Sequence, residues 1–301
     1  MKIAIQGLGR MGSQIAHKLA ESPEHTLIAH NRSQEPIDVA VSQGAIAAQT
    51  KQEVLAAFEG DQVVLWIMLP AEIVDDQVDE WLDILPQGSV IVDGGNSDYR
   101  KTKVLAERIQ SRGSVLVDVG TSGGIWGYQN GFSMMSGGDK HGFELLEPAL
   151  KTLALPEGAY HYFGPSGSGH FVKMTHNAIE YGIMESLAEG YNVLKTGPYP
   201  DLDLAAAGEV WQHHSVVTSW LNELCQTALT KNPELEGIEG YVAETGEARW
   251  TLETGKELNI PMPSIQAAFD VRIASQAGTV NFGTKLVAAM RNEFGGHELN
   301  K

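Results

Sequence analysis

Residues 167–182 read Gly-Ser-Gly-His-Phe-Val-Lys-Met-Thr-His-Asn-Ala-Ile-Glu-Tyr-Gly. Within this run Lys173, His176, Asn177, Glu180 and Tyr181 stand at i, i+3, i+4, i+7 and i+8, which share one face of a helix. A surface helix turns its charged side to water, so one reading is a solvated face with an internal Lys–Glu pairing. The other reading is a chemical site. Histidine, asparagine and tyrosine are short hydrogen-bonding groups, whereas solvated faces are mostly filled with lysine, glutamate and glutamine, and the run follows directly on a Gly-Ser-Gly-His turn.

A second chemical element lies at the N-terminus. Gly7-Leu8-Gly9-Arg10-Met11-Gly12 follows an apolar run that reads as a strand and opens a stretch that reads as a helix. In that setting Gly7 permits a tight turn, Gly9 lets the backbone approach a pyrophosphate, and Gly12 lets helix and strand pack closely. The helix start adds N–H groups and a positive dipole end. A glycine-rich turn without function has the same letters, but its place between two strands selects a dinucleotide. The second strand ends in His30-Asn31-Arg32-Ser33. NAD binders carry an acidic residue there for the ribose 2′-hydroxyl, and NADP binders offer an arginine. With no carboxylate present, Asn31, Arg32 and Ser33 point to NADP as the preferred cofactor. NAD is the alternative, and Arg32 is then a solvated loop residue.

The elements that must carry these groups follow from periodicity. Ile3–Gln6, Thr26–His30, Val63–Leu69, Val90–Asp93 and Val115–Val119 are short apolar runs separated by longer mixed stretches such as Met11–Glu21, Glu72–Leu85 and Thr102–Arg112. Continuous apolar runs alternating with helices are the mark of a parallel sheet covered on both faces. Shorter strands are expected at Gly131–Ser136 and near His161–Gly164. From about Ser166 apolar residues recur at three and four, as in Phe171, Met174, Thr175, Ala178 and Gly182, then Leu187, Tyr191 and Leu194, until Gly197-Pro198 stops the helix. Further helices are expected at about 202–212, 215–229, 246–258, 265–276 and 281–294. The predicted fold is α/β: a Rossmann doubly wound sheet over residues 1–165, then an all-helical domain over 166–301.

Composition narrows the function. The chain is 43% hydrophobic and 20% charged, which is ordinary globular usage. A formal charge of −17 argues against nucleic-acid binding. Apolar stretches such as Val63–Leu69 fall far short of the roughly 20 residues a bilayer needs. The first residues do not read as a signal peptide, and the single Cys225 excludes an internal disulfide and any CxxC motif. The expected compartment is the cytoplasm. An anionic substrate would need the few cations gathered locally, because the average field repels it.

The run Lys-Met-Thr-His-Asn-Ala-Ile-Glu-Tyr-Gly resembles the catalytic helix of the 6-phosphogluconate dehydrogenases, and the resemblance extends from end to end. Met68-Leu69-Pro70 is similar to the family's cofactor-contacting loop. Asp93-Gly94-Gly95-Asn96-Ser97 is similar to its substrate loop, where Asn96 would lie beside the nicotinamide and reach the substrate hydroxyls. Thr121-Ser122-Gly123-Gly124 resembles the loop that holds the substrate carboxylate. Arg272, placed 22 residues after Trp250, matches a phosphate-binding arginine, and Arg291 and His297 resemble the tail that binds substrate. The length fits the short-chain branch of the family.

The resemblance implies oxidation of C3 of 6-phosphogluconate followed by loss of the C1 carboxylate. Lys173 would take the C3 hydroxyl proton, and Glu180 would protonate C1 of the enediol. Asn177 and His176 would hold the C3 oxygen, Ser122 and Gly124 the carboxylate, and Tyr181 the phosphate. No metal is expected. A homodimer or homotetramer with shared active sites is expected, since the tail comes from the neighbouring subunit in longer relatives. Two departures stand out. Ala178 replaces the family's glycine after the asparagine, and Thr245, with Glu244 and Glu247 near it, stands where longer enzymes carry a phosphate-binding lysine. A β-hydroxyacid dehydrogenase shares this layout but needs no second proton donor. A non-catalytic NADP-binding sensor would have no reason to keep Lys173 and Glu180 together.

Overall fold

A computed structural model describes residues 1–299; Asn300 and Lys301, the end of the predicted helical domain, lie outside the described residues. The chain divides into two compact units, Met1–Met174 and Thr175–Lys301.

The first unit alternates strand and helix: β1 (Lys2–Gln6), α1 (Arg10–Ala20), β2 (Thr26–His30), α2 (Gln34–Ser42), β3 (Ile46–Ala48), α3 (Lys51–Ala57), β4 (Val64–Ile67), α4 (Ala71–Leu82), β5 (Val90–Asp93), α5 (Tyr99–Ser111), β6 (Val115–Ser122), α6 (Gly127–Asn130), β7 (Ser133–Gly138), α7 (Lys140–Ala154) and β8 (Ala159–Tyr162). The strands form one sheet in the order β3-β2-β1-β4-β5-β6-β7-β8. The first six are parallel, as the sequence predicts for a doubly wound sheet. Strand β7 runs antiparallel to β6, with Ser122 opposite Ser133. The segment between them is too short for the crossover that parallel pairing requires. Side chains alternate across the sheet, so Ile3 and Ile5 enter one apolar layer and Ala4 the other.

Five elements of this unit escape periodicity, the one-turn α6 among them. Helices α2 and α3 are short, and α3 is set by a local device: Thr50 and Glu53 form a reciprocal capping box. Strand β3 is a three-residue edge with Ile46 exposed. Helix α7 is capped by Asp139, whose side chain accepts from the Gly142 N–H. Strand β7 lies two residues beyond its predicted span because it ends in Gly137-Gly138, residues with little strand propensity of their own.

Helix α8 (Ser168–Thr196) begins in the first unit and continues through the second. It is followed by α9 (Leu204–Gln212), α10 (Trp220–Lys231), α11 (Glu247–Glu257), α12 (Pro263–Gln276) and α13 (Phe282–Gly295). The second unit is helical among the described residues. Met184, Ala188 and Tyr191 of α8 share a core with Leu224, Cys225 and Leu229 of α10 and with Leu286, Val287 and Met290 of α13. Burial pushes the Cys225 thiol up to about 12, as befits a core residue. No helix among the described residues is long and apolar enough to cross a membrane.

The start of α8 hangs on one carboxylate. Asp118, wholly buried in β6, accepts from the Gly167 N–H at 2.8 Å and the His170 N–H at 2.9 Å. These are charge-assisted bonds to N–H groups that a helix start cannot satisfy within itself. Asp118→Ala should cost about 3 kcal/mol, read as a lower denaturant midpoint. An unchanged midpoint would show that α8 is anchored by other means.

Candidate active site

The glycine loop joins β1 to α1. Gly7 has φ +98°, and an added Cβ there would collide with the Met68 carbonyl; a Cβ at Gly12 would collide with the Gly7 carbonyl. Gly9 differs, since its Cβ would meet nothing within 4 Å. Packing inside the chain therefore explains the outer two glycines and leaves the middle one to an outside group. Gly9 also caps α1 with no side-chain hydrogen bond, which suits a helix start that receives an anion. The turn thus fits a dinucleotide pyrophosphate. Leu8 is buried, its N–H donating to Asn31 Oδ1 at 3.1 Å, while the Asn31 amide donates to the Ser33 carbonyl. Asn31 is thereby committed to holding the loop, and Arg32 and Ser33 stand exposed beside it. Arg10 is exposed at the start of α1 and Met11 half-buried behind it.

The Met68 N–H donates to the Gln6 carbonyl, which places Met68 and Leu69 against the glycine turn, and Pro70 opens α4. After β5, buried Asp93 accepts from the Gly95 N–H and the Ser97 hydroxyl. That small turn leaves Asn96 at its exposed tip. Thr121 and Ser122, expected in a loop, are the last residues of β6; the turn begins only at Gly123 and Gly124, both with positive φ. Antiparallel pairing with β7 extends the strand to that point.

Lys173 is buried, 6% exposed. Its stem lies on Gly120 of β6, where an added Cβ would strike the lysine side chain. One turn earlier, an added Cβ at Gly169 would sit 2.7 Å from both the Asp118 carbonyl and the Gly137 N–H. Here helix meets sheet with no side chain between them. His170, also buried, meets the Thr102 hydroxyl at 2.8 Å and ties α5 to this turn.

Farther along α8, in the second unit, His176 Nδ1 lies 2.9 Å from Asn177 Oδ1 and 4.0 Å from Glu180 Oε2. The Asn177 amide donates to Glu247 Oε1 at 2.8 Å. Tyr181 is buried with the Arg272 guanidinium 3.2 Å from its ring centroid, and its hydroxyl lies 3.4 Å from Thr245 Oγ1. Arg272 and Arg291 are both buried. Burial, and then the charge of Arg291, push Arg272 down to about 10, while the Tyr181 phenol, Glu180 and Glu185 act the other way. The two buried guanidiniums lie within electrostatic reach of each other. His297 packs edge-on against Phe294, and its carbonyl accepts from Asn292.

The polar face of α8 is therefore not a solvated one. Lys173 and Tyr181 are buried, while the apolar Ile179 and Ile183 are exposed. Phe171, counted in the apolar stripe, is exposed as well and packs edge-on against Tyr99. The sequence reading did not single out Asp118, His170 or Glu247 as site-building residues. Asp118 had a signal, a lone acid within the apolar run Val-Leu-Val-Asp-Val. The partner of Glu247 lies 70 residues away and had none.

Residues 2–164 match the NAD binding domain of 6-phosphogluconate dehydrogenase, and residues 169–282 match the C-terminal domain of 6-phosphogluconate dehydrogenase. The chain belongs to the 6-phosphogluconate dehydrogenase family. It is 36% identical to the Bacillus subtilis protein YqeC, provisionally named for the same activity, with all of both chains covered. A 6-phosphogluconate dehydrogenase of Haloferax volcanii, named as NAD(+)-dependent and decarboxylating, is 33% identical, with 99% of this chain and 98% of that one covered. Plasmodium falciparum 6-phosphogluconate dehydrogenase superposes with a TM-score of 0.82 at 26% identity, covering 92% of this chain and 62% of that one. The 3-hydroxyisobutyrate dehydrogenase of Mycobacterium tuberculosis, at 19% identity and TM-score 0.71 over 95% and 97% of the two chains, shares the fold. This member of the family is thus an oxidoreductase with a nicotinamide-dinucleotide domain and a helical C-terminal domain.

One group beside the paired arginines titrates near neutrality. Burial and the neighbouring Glu189 push the Glu185 carboxyl up to about 7, against the pull of Arg272. Because the folded chain holds this proton more tightly than the unfolded chain, stability should fall as pH rises between about 4.5 and 7. Glu185→Gln should flatten the dependence of the melting midpoint over that window; an unaltered slope would assign it to other groups.

Proposed function

We propose that the chain oxidises and decarboxylates 6-phospho-D-gluconate to D-ribulose 5-phosphate and carbon dioxide with reduction of NADP or NAD, as in the pentose phosphate pathway. The observation that carries this reading is the inward polar face of α8, with Lys173 buried and Glu180 two turns on from it. In this reading residues 1–165 bind the cofactor and 166–301 serve substrate binding and oligomerisation. The assembly is a cytoplasmic homodimer or homotetramer whose active sites are shared between subunits.

Bound nicotinamide supplies a hydride acceptor. The residues do the rest. Gly7 to Gly12 cradle the pyrophosphate, Met68, Leu69 and Pro70 flank the cofactor, and Asn96 reaches the substrate hydroxyls. Arg32 and Ser33 receive a ribose 2′-phosphate, which favours NADP. Lys173 binds substrate as the neutral amine and takes the C3 hydroxyl proton as C3 is oxidised; its burial suits a lysine that must act as a base. The ammonium so formed polarises the C3 ketone, which accepts the electron pair of the breaking C1–C2 bond. Glu180 then gives its proton to the enediol carbon left behind. Asn177 and His176 hold the C3 oxygen, and Ser122, Gly123 and Gly124 hold the departing carboxylate. Tyr181, Arg272 and Arg291 bind the phosphate, and His297 binds substrate. Thr245 favours a second reading, a β-hydroxyacid dehydrogenase acting without decarboxylation on a substrate that lacks phosphate.

The test follows reduced-nicotinamide absorbance with 6-phosphogluconate and each cofactor, alongside carbon dioxide release. Stoichiometric carbon dioxide, with NADP the faster cofactor, is the expected result. Turnover of an unphosphorylated hydroxy acid without carbon dioxide would replace this reading by the second. Lys173→Met should lower kcat by at least about a thousandfold with cofactor affinity kept. Glu180→Ala should lower kcat about a hundredfold or more with little change in KM. Normal turnover in either variant would remove that residue from its role.

A further inference from the structure

Glu247 has no part in the reaction as described, yet it is built into the second unit with unusual care. It sits in the first turn of α11, where the helix start complements a carboxylate, and it is 2% exposed. Oε1 accepts from the Asn177 amide at 2.8 Å, and Oε2 is buried with no hydrogen-bond partner among the described residues. Leaving a carboxylate oxygen in that state costs free energy, so the side chain is retained for something other than stability. The contact it makes also has a direction. A carboxylate only accepts hydrogen bonds, whereas an asparagine amide has a donor end and an acceptor end. Facing Glu247, Asn177 must present its NH₂ group, which turns Oδ1 the other way. Oδ1 lies 2.9 Å from His176 Nδ1, and two acceptors cannot meet there, so Nδ1 must carry the hydrogen.

We propose that Glu247 is a positioning residue that, through Asn177, fixes His176 as the Nδ1–H tautomer with Nε2 as its acceptor nitrogen. The link runs from α11 to α8 within one unit. Its kinetic consequence rests on the function proposed above: Nε2 can accept a hydrogen bond from a substrate hydroxyl only in this tautomer. The structural claim does not depend on which substrate is used.

The test uses the full-length protein with ¹⁵N-labelled histidine. The imidazole nitrogens of His176 are identified by their loss in His176→Gln and observed by long-range ¹H–¹⁵N correlation at a pH where the ring is neutral. The wild type should show the Nδ1–H form. Glu247→Gln conserves volume but offers either a donor or an acceptor, so it removes the direction without opening a cavity. It should shift His176 toward a mixture of tautomers and lower kcat about tenfold, with KM within about twofold. Glu247→Asp, still acceptor-only, should restore the Nδ1–H form in part. An Nε2–H ring in the wild type, or an unaltered tautomer in Glu247→Gln, would overturn the proposal. A tautomer that responds in a protein inert toward 6-phosphogluconate would uphold the positioning role and refute the proposed reaction instead.

Discussion

The close approach of the first turn of α8 to the backbone of β6 and β7 is the constraint on which the placement of Lys173 depends. Gly169 meets the Asp118 carbonyl and the Gly137 N–H with no room for a side chain, and Gly120 leaves just the space that the stem of Lys173 fills. Contact this close would strand the N–H groups at the helix start in a dry interior. Asp118 resolves the conflict by accepting from two of them. The same turn is fixed sideways by the contact of His170 with Thr102 of α5. A lysine placed one turn beyond such an anchor has little freedom to move, which suits the base role proposed for Lys173.

The second unit meets the opposite electrostatic problem. The chain carries a formal charge of −17, and an anion approaching it is repelled on average. Burying Arg272 and Arg291 together, with Arg272 stacked on the Tyr181 ring, concentrates positive charge where water cannot screen it. The charge of Arg291 works against that of Arg272, and in the reading proposed above a bound phosphate would offset this. In that reading, Thr245 in place of a lysine reduces the pull on the phosphate.

Much of the fold was legible because parallel strands buried on both faces write themselves as apolar runs; β2 and β5 fall on their predicted residues. Elements set by local devices were not legible, as with the capped α3 and the three-residue edge β3. The chemistry-bearing face of α8 was legible in its spacing, though its burial was not, since spacing alone cannot tell an inward polar face from a wet one. Gly120, Asp118 and Glu247 act through contacts with residues 49 or more positions away in the chain. Such partnerships leave no local pattern, and only the lone acid in the β6 run hinted at one.

That Lys173 and Glu180 share one uninterrupted helix has a consequence for how this sequence can vary. The helix acts as a ruler, holding the two residues about 10 Å apart along its axis and on one side of it. Inserting or deleting a single residue between them would swing Glu180 by about 100° around that axis. No loop lies between the two to absorb the error. A substitution at an exposed position such as Ile179 changes one side chain and leaves this spacing intact, but the number of residues between Lys173 and Glu180 cannot drift.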